Sequence, residues 1–149
     1  MNHFLGTHQN RLDAKGRVSI PASFRAALRD GLEGEGSVTV FLSLSPKFNC
    51  IDGWSKRKFD TMAARLAAMD PLTDEYQNTA TQLYADTYQF DSDKEGRIML
   101  SANMLQYAKL TGPVAFMAMG DMFQIWEPAA CEARRLEARA ARTHERAAA

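Results

Sequence analysis

Arg17 and Arg97 each stand four residues after an aspartate and directly after a glycine. The flanking segments, LDAKGRVSIPASF (12–24) and SDKEGRIMLSANM (92–104), write one pattern twice, eighty positions apart. Asp13, Gly16 and Arg17 match Asp93, Gly96 and Arg97, and Val18 and Ile20 match Ile98 and Leu100. Gly16 permits a tight bend and close approach by another backbone. An arginine beside such a turn offers a fork of donors that suits a phosphate or a guanine edge in a major groove. Lys15 suits phosphate neutralisation. Lys94 with Arg97 is a weaker version, because Glu95 replaces Lys15. Arg11 extends the first basic patch. A plainer reading makes Arg17–Asp13, and Arg97 with Asp93 or Asp91, structural bridges. Both readings hold together if the aspartate aims the arginine.

The remaining reactive residues point less clearly. Arg25 and Arg29 are four apart on a short helix and could project together, or form a solvated face. Lys56, Arg57 and Lys58 are the only basic triplet; no aromatic residue interleaves them, which disfavours a single-strand stacking platform. His3, His8 and His144 have no ligand cluster at metal spacing, so no metal and no cofactor is expected. Asp91, Asp93 and Glu95 alternate, but a turn-forming acidic run explains them better than hydrolytic chemistry. No serine sits in a GxSxG elbow. GLEGEG (31–36) lacks the Gly-Lys-Ser/Thr of a phosphate loop. Cys50 and Cys131 read as reduced structural thiols. Trp54 and Trp126 read as core or subunit-interface anchors. The pattern as a whole implies no enzyme.

These residues need a scaffold, and 149 residues at 46% hydrophobic suit one compact domain or two small modules sharing a core. No apolar run nears the roughly 18 residues of a membrane span, and the first residues lack a signal-peptide core. A cytosolic protein with no membrane partner is the expectation. The formal charge is zero, from 18 basic and 18 acidic residues, which excludes a strongly basic chain. The charges are segregated, however: residues 1–30 are mostly basic and residues 69–96 mostly acidic. A neutral protein can still carry a basic face.

The element order follows from pattern. Phe4–Leu5 reads as a short strand closed by Gly6; Asp13–Gly16 is a turn and Val18–Ile20 a half-buried strand. Pro21 ends that strand and opens a helix over Ala22–Leu28. Ser37–Leu44 is a strand, with another over Phe48–Asp52 broken by Gly53. Ser55–Met69 has helical periodicity, capped by Ser55 and ended by Asp70-Pro71. Thr73 begins a second helix with Tyr76, Ala80, Leu83 and Tyr84 on its apolar side. In the second copy Tyr88–Phe90 leads to the turn, and Ile98–Leu100 is a strand. Ser101 caps a helix over Ala102–Lys109. Pro113–Met119 and Met122–Trp126 then form a hairpin around Gly120-Asp121. Pro128–Ala149 is helical at first and frays at its end. Neither half has a complete core, which predicts intertwining.

The two repeats and GDMFQIW closely resemble the MraZ family of bacterial transcriptional regulators of the division and cell-wall gene cluster, from Phe4 through Trp126. The resemblance implies a mixed β/α, β-rich fold: a pseudo-symmetric swapped-hairpin AbrB-like barrel built from two tandem SpoVT/AbrB-like units. The units would span 4–53 and 87–130, with a helical connection over 54–86 and a C-terminal helix and tail over 131–149. It further implies a ring-like homo-oligomer of about eight subunits that binds repeated promoter boxes in double-stranded DNA, usually as a repressor, in the cytoplasm at the nucleoid. The contacting turn would be Asp13, Lys15, Gly16 and Arg17, and its second copy Asp93, Gly96 and Arg97. Asp13 and Asp93 would orient the arginines. Ser101 replaces the expected proline, and Glu95 weakens the second turn. The C-terminal arginines 134, 135, 139, 142 and 146 lie beyond the match. The alternative is a structural or antitoxin-like protein-binding module, motivated by that exposed C-terminal helix.

Overall fold

The computed structural model describes residues 3–29 and 36–148; the glycine-rich segment 31–35 lies outside the described residues. Among the described residues eight strands form two sheets. The strands are β1 (Thr7–Arg11), β2 (Arg17–Ser19), β3 (Thr39–Leu44), β4 (Ile51–Trp54), β5 (Thr87–Asp91), β6 (Arg97–Met99), β7 (Pro113–Ala118) and β8 (Phe123–Trp126). The helices are α1 (Ala22–Arg29), α2 (Lys56–Ala67), α3 (Asp74–Ala80), α4 (Ala102–Tyr107) and α5 (Pro128–Ala148), with a π-turn at Thr81–Ala85 following α3.

Six strands run in the order β1-β7-β8-β4-β3-β5, and β2 pairs with β6 in a separate ribbon. The order is that of two interlocked halves. β1, from the first repeat, pairs with the second hairpin (Thr7↔Met117 to Arg11↔Pro113). β5, from the second, pairs with the first hairpin (Thr39↔Asp91 to Ser43↔Thr87). The hairpins β3–β4 and β7–β8 meet where Asp52 faces Gln124. The predicted intertwining is thus present as strand exchange.

Alternation along the strands gives the large sheet two working faces. Val40, Leu42, Ile51, Val114, Phe116, Phe123 and Ile125 point to the main core with Val18, Ile20, Phe24, Ile98, Leu100 and Met104. Phe24 of α1 is wholly buried and meets Phe4 edge-on at 5.2 Å and Phe123 at 5.2 Å. Such aromatic pairs contribute about 0.5–1.5 kcal/mol beyond their buried area. On the opposite face Cys50, Ala115, Met117 and Trp126 pack with Cys131 of α5. Further along that face Phe41 stacks on Phe59 of α2 at 4.7 Å.

Several expectations are corrected. Thr7–Arg11, a polar run, is a strand because it borrows β7 as partner. Phe4–Leu5 is not a strand; Phe4 makes a single bridge to Gly120. Gly53 does not break its strand: β4 runs through it, and the Phe123 ring lies where its Cβ would be, 2.4 Å from the nearest ring carbon. Tyr84 is half exposed yet meets Phe59 of α2 edge-on at 6.0 Å, while Leu83 is buried. The helix after Ser101 stops at Tyr107, where Lys109 adopts φ +56° and Leu110 N–H bonds back to Leu105 C=O. α5 continues to Ala148, its start capped by the Glu127 carboxylate on Ala129 and Ala130 N–H.

Candidate nucleic-acid interface

The two repeated turns are built alike, bond for bond. Asp13 Oδ1 accepts from Lys15 N–H and Arg17 N–H, each at 2.9 Å, and Oδ2 accepts from Arg17 Nε at 2.7 Å. Asp93 Oδ1 accepts from Glu95 N–H at 3.0 Å and Arg97 N–H at 2.9 Å, and Oδ2 from Arg97 Nε at 2.8 Å. Asp13 N–H donates to Arg17 C=O, and Asp93 N–H to Arg97 C=O. Gly16 and Gly96 close the bends at φ +82° and +80°, the left-handed region that glycine enters without a Cβ clash. The aspartate therefore folds the turn and fixes the guanidinium at once.

The electrostatics follow. Asp13 is held below the ordinary carboxylate range, first by the Arg17 backbone N–H and then by its guanidinium and the Lys15 N–H. Asp93 is lowered in the same way by Arg97 and Glu95 N–H. Arg97 is raised, mainly by its bond to Asp93 and further by Glu95 and the first turn's Asp13. The two turns lie close together: Leu100 N–H donates to Gly16 C=O at 3.2 Å and Ile20 N–H to Gly96 C=O at 2.8 Å.

The ribbon explains why. β2 and β6 pair antiparallel with Arg17↔Met99, Val18↔Ile98 and Ser19↔Arg97. Val18 and Ile98 are buried, so Arg17, Ser19, Arg97 and Met99 share the outward face. The arginines sit diagonally, roughly 7–8 Å apart at the backbone. A two-stranded ribbon is one of the elements a DNA major groove admits. Ser19 and Met99 were not singled out from sequence, though the alternation in RVS and RIM contains them.

The turns differ in charge and in what lies beneath. Arg17 uses only Nε on Asp13; among the described residues neither Nη has a partner, and Lys15 pairs with no carboxylate. Arg97 spends Nε on Asp93 and Nη2 on Glu95 at 2.5 Å. Leu105 of α4 lies under Gly16, whereas the Arg25 side chain lies against Gly96, where a Cβ would come within 2.4 Å of it. Arg25 and Leu105 are themselves eighty positions apart, a substitution the repeat displays without revealing its consequence.

Other candidates are placed elsewhere. Arg25 and Arg29 do not project together: Arg25 donates to Ile20 C=O at 2.6 Å and Arg29 to Gly36 C=O. Arg11 ends β1, its guanidinium beside Gly112. Lys94 is exposed on the second turn. In the basic triplet Lys56 pairs with Asp60 and Lys58 with Asp121. Asp91 accepts from Thr39, Asp93 and Glu95 from Arg97, so the acidic run is taken up structurally. Among the described residues no group of three or more His, Cys, Asp or Glu could hold a metal, and no helix is long and apolar enough to cross a membrane. Cys50 and Cys131 are buried free thiols, Cys50 pushed up to about 12 by burial.

A family model described as "MraZ protein, putative antitoxin-like" matches twice, over residues 3–82 and 83–149. A protein of Gluconacetobacter diazotrophicus named transcriptional regulator MraZ is 52% identical over 93% of the chain and 87% of its own length. Proteins of the same name from Gluconobacter oxydans and Pelagibacter ubique are 51% and 36% identical, over 93% and 91% of the chain and 84% and 85% of their own lengths.

Proposed function

The chain belongs to the MraZ family, and from that premise we propose that it is a sequence-specific DNA-binding transcriptional regulator without catalytic chemistry. The observation that supports this most is the outward face of the β2–β6 ribbon, with two carboxylate-aimed arginines on its diagonal. Arg17 reads base edges with its free Nη groups, and Lys15 neutralises phosphate. Arg97, Lys94 and Arg11 contribute less. Asp13 and Asp93 hold the arginines, and Gly16 and Gly96 hold the turns.

In this reading 4–53 and 87–130 are tandem AbrB-like units joined by the helical connection 54–86, and their sheets wrap the common core as a barrel. A ring-like homo-oligomer of about eight subunits repeats the ribbon at fixed spacing, so that weak contacts to repeated promoter boxes add through effective concentration. The protein acts in the cytoplasm at the nucleoid as a repressor of its own promoter and the division and cell-wall genes. The exposed C-terminal helix α5 favours one second reading, an antitoxin-like module that holds a protein partner.

Titration onto DNA from upstream of its own gene, against scrambled DNA across a salt series, separates the two. Tight, selective and strongly salt-dependent binding is expected. Equal weak binding to both DNAs by a folded oligomer overturns the promoter reading.

A further inference from the structure

A cavity of about 180 Å³ lies on the outer face of the large sheet. Ser43, Asp52 and Trp54 form its floor, Met62 of α2 and Leu83 of the π-turn its roof, and Thr87 its rim. None of these residues belongs to the ribbon. At the floor lies an unusual group: Asp52, only 7% exposed. Its Oδ1 accepts from Gln124 Nε2 at 3.1 Å, and Trp126 Nε1 completes the relay onto Gln124. Oδ2 accepts nothing from the protein. No enclosed side-chain oxygen among the described residues lacks a partner, so Oδ2 keeps accessible surface, and Asp52 is one of the residues that line the cavity.

A carboxylate removed from water needs a cation or several donors. Here burial raises the Asp52 carboxyl and only the neutral Gln124 amide eases it. The walls supply the rest of a ligand site. Trp54, Met62, Leu83 and Pro46 are apolar, while Ser43 Oγ, held by Trp54 Nε1 at 3.3 Å, keeps acceptor capacity. The roof is independently distinctive. The helix begun by α3 widens to a π-turn where it brings Gln82 and Leu83 over the cavity, and π-turns within helices cluster at functional sites. The second half has Gln124, a neutral amide, at the position equivalent to Asp52.

We propose that this cavity binds a small organic monocation, a primary ammonium on a short apolar body, with the ammonium on Asp52 Oδ2 and the body between Trp54, Met62 and Leu83. The volume suits it, since an apolar cavity of about 150 Å³ holds benzene.

Benzylammonium and its neutral counterpart benzyl alcohol are the probes, titrated calorimetrically into the full-length protein without DNA, so the result is independent of the promoter reading. Saturable binding of one amine per chain is expected, with the alcohol about tenfold or more weaker. The amine should also move the Trp54 indole N–H resonance. Asp52→Asn keeps the Gln124 contact and should weaken the amine by about the same factor. Thr79→Phe, which fills the cavity and leaves the carboxylate, should abolish binding. Equal affinity for amine and alcohol, undiminished amine binding by Asp52→Asn, or no saturable binding at all overturns the proposal.

Discussion

The first and second turns share their backbone bonds, their glycine conformation and their aspartate–arginine pair, and they still differ in what they offer a partner. In the first, Lys15 is unpaired among the described residues and Arg17 has both Nη groups free. In the second, Glu95 sits on Arg97 Nη2. Duplication has preserved the device that aims the guanidinium while changing the charge around it. Geometry and availability are thus separable: one is set by Asp13 and Asp93, the other by the residue two positions further on.

The widest separation should come from truncating each arginine. On the proposed function, Arg17→Ala should remove specific promoter binding, because a bidentate base contact accounts for about 1–3 kcal/mol and the loss would recur in every subunit of the proposed oligomer. Arg97→Ala should lose no more than about tenfold, since Glu95 already occupies part of its fork. Mobility-shift titrations on matched and scrambled DNA would read both. Equal losses would make the turns equivalent and remove the distinction drawn from Glu95.

Charge exchange should have a smaller effect and a clearer signature. Lys15→Ala should weaken binding to all sequences and flatten the salt dependence by about one unit per engaged turn. Glu95→Lys should free Arg97 and steepen that dependence, bringing the second turn toward the first. An unchanged slope in Glu95→Lys would show that the second turn faces away from the phosphates.

Much of this comparison was legible in the sequence because it rests on local bonds. An aspartate, a glycine and an arginine at fixed spacing define the turn whatever surrounds it. Ser55, Thr73 and Ser101 are caps for the same reason, each accepting the N–H three residues on. What depended on distant partners was hidden. β1 is polar and becomes a strand only beside β7. Gly53 looked like a breaker because Phe123, seventy positions away, is what requires it. Asp52 figures in the sequence only as the end of a strand, because its burial and its bond to Gln124 depend on a partner far along the chain. Arg25 looked like a free cation because nothing nearby in the chain announces Gly96 beneath it.

That last contact yields the smallest and most local test. Alanine at either glycine must adopt a left-handed φ, which costs roughly 1–2 kcal/mol. At Gly16 the new methyl meets only Leu105 Cδ1 at 3.9 Å, an ordinary contact. At Gly96 it meets Arg25 Cδ at 2.4 Å, so Arg25 must leave and give up its bond to Ile20 C=O. Gly96→Ala should therefore lower the denaturation midpoint further than Gly16→Ala. Adding Arg25→Ala to each background would isolate the cause: it should narrow the gap, because Arg25 is then gone in both. A gap that persists without Arg25 would assign the difference to the second turn's backbone, and the two turns would no longer be equivalent scaffolds distinguished only by their side chains.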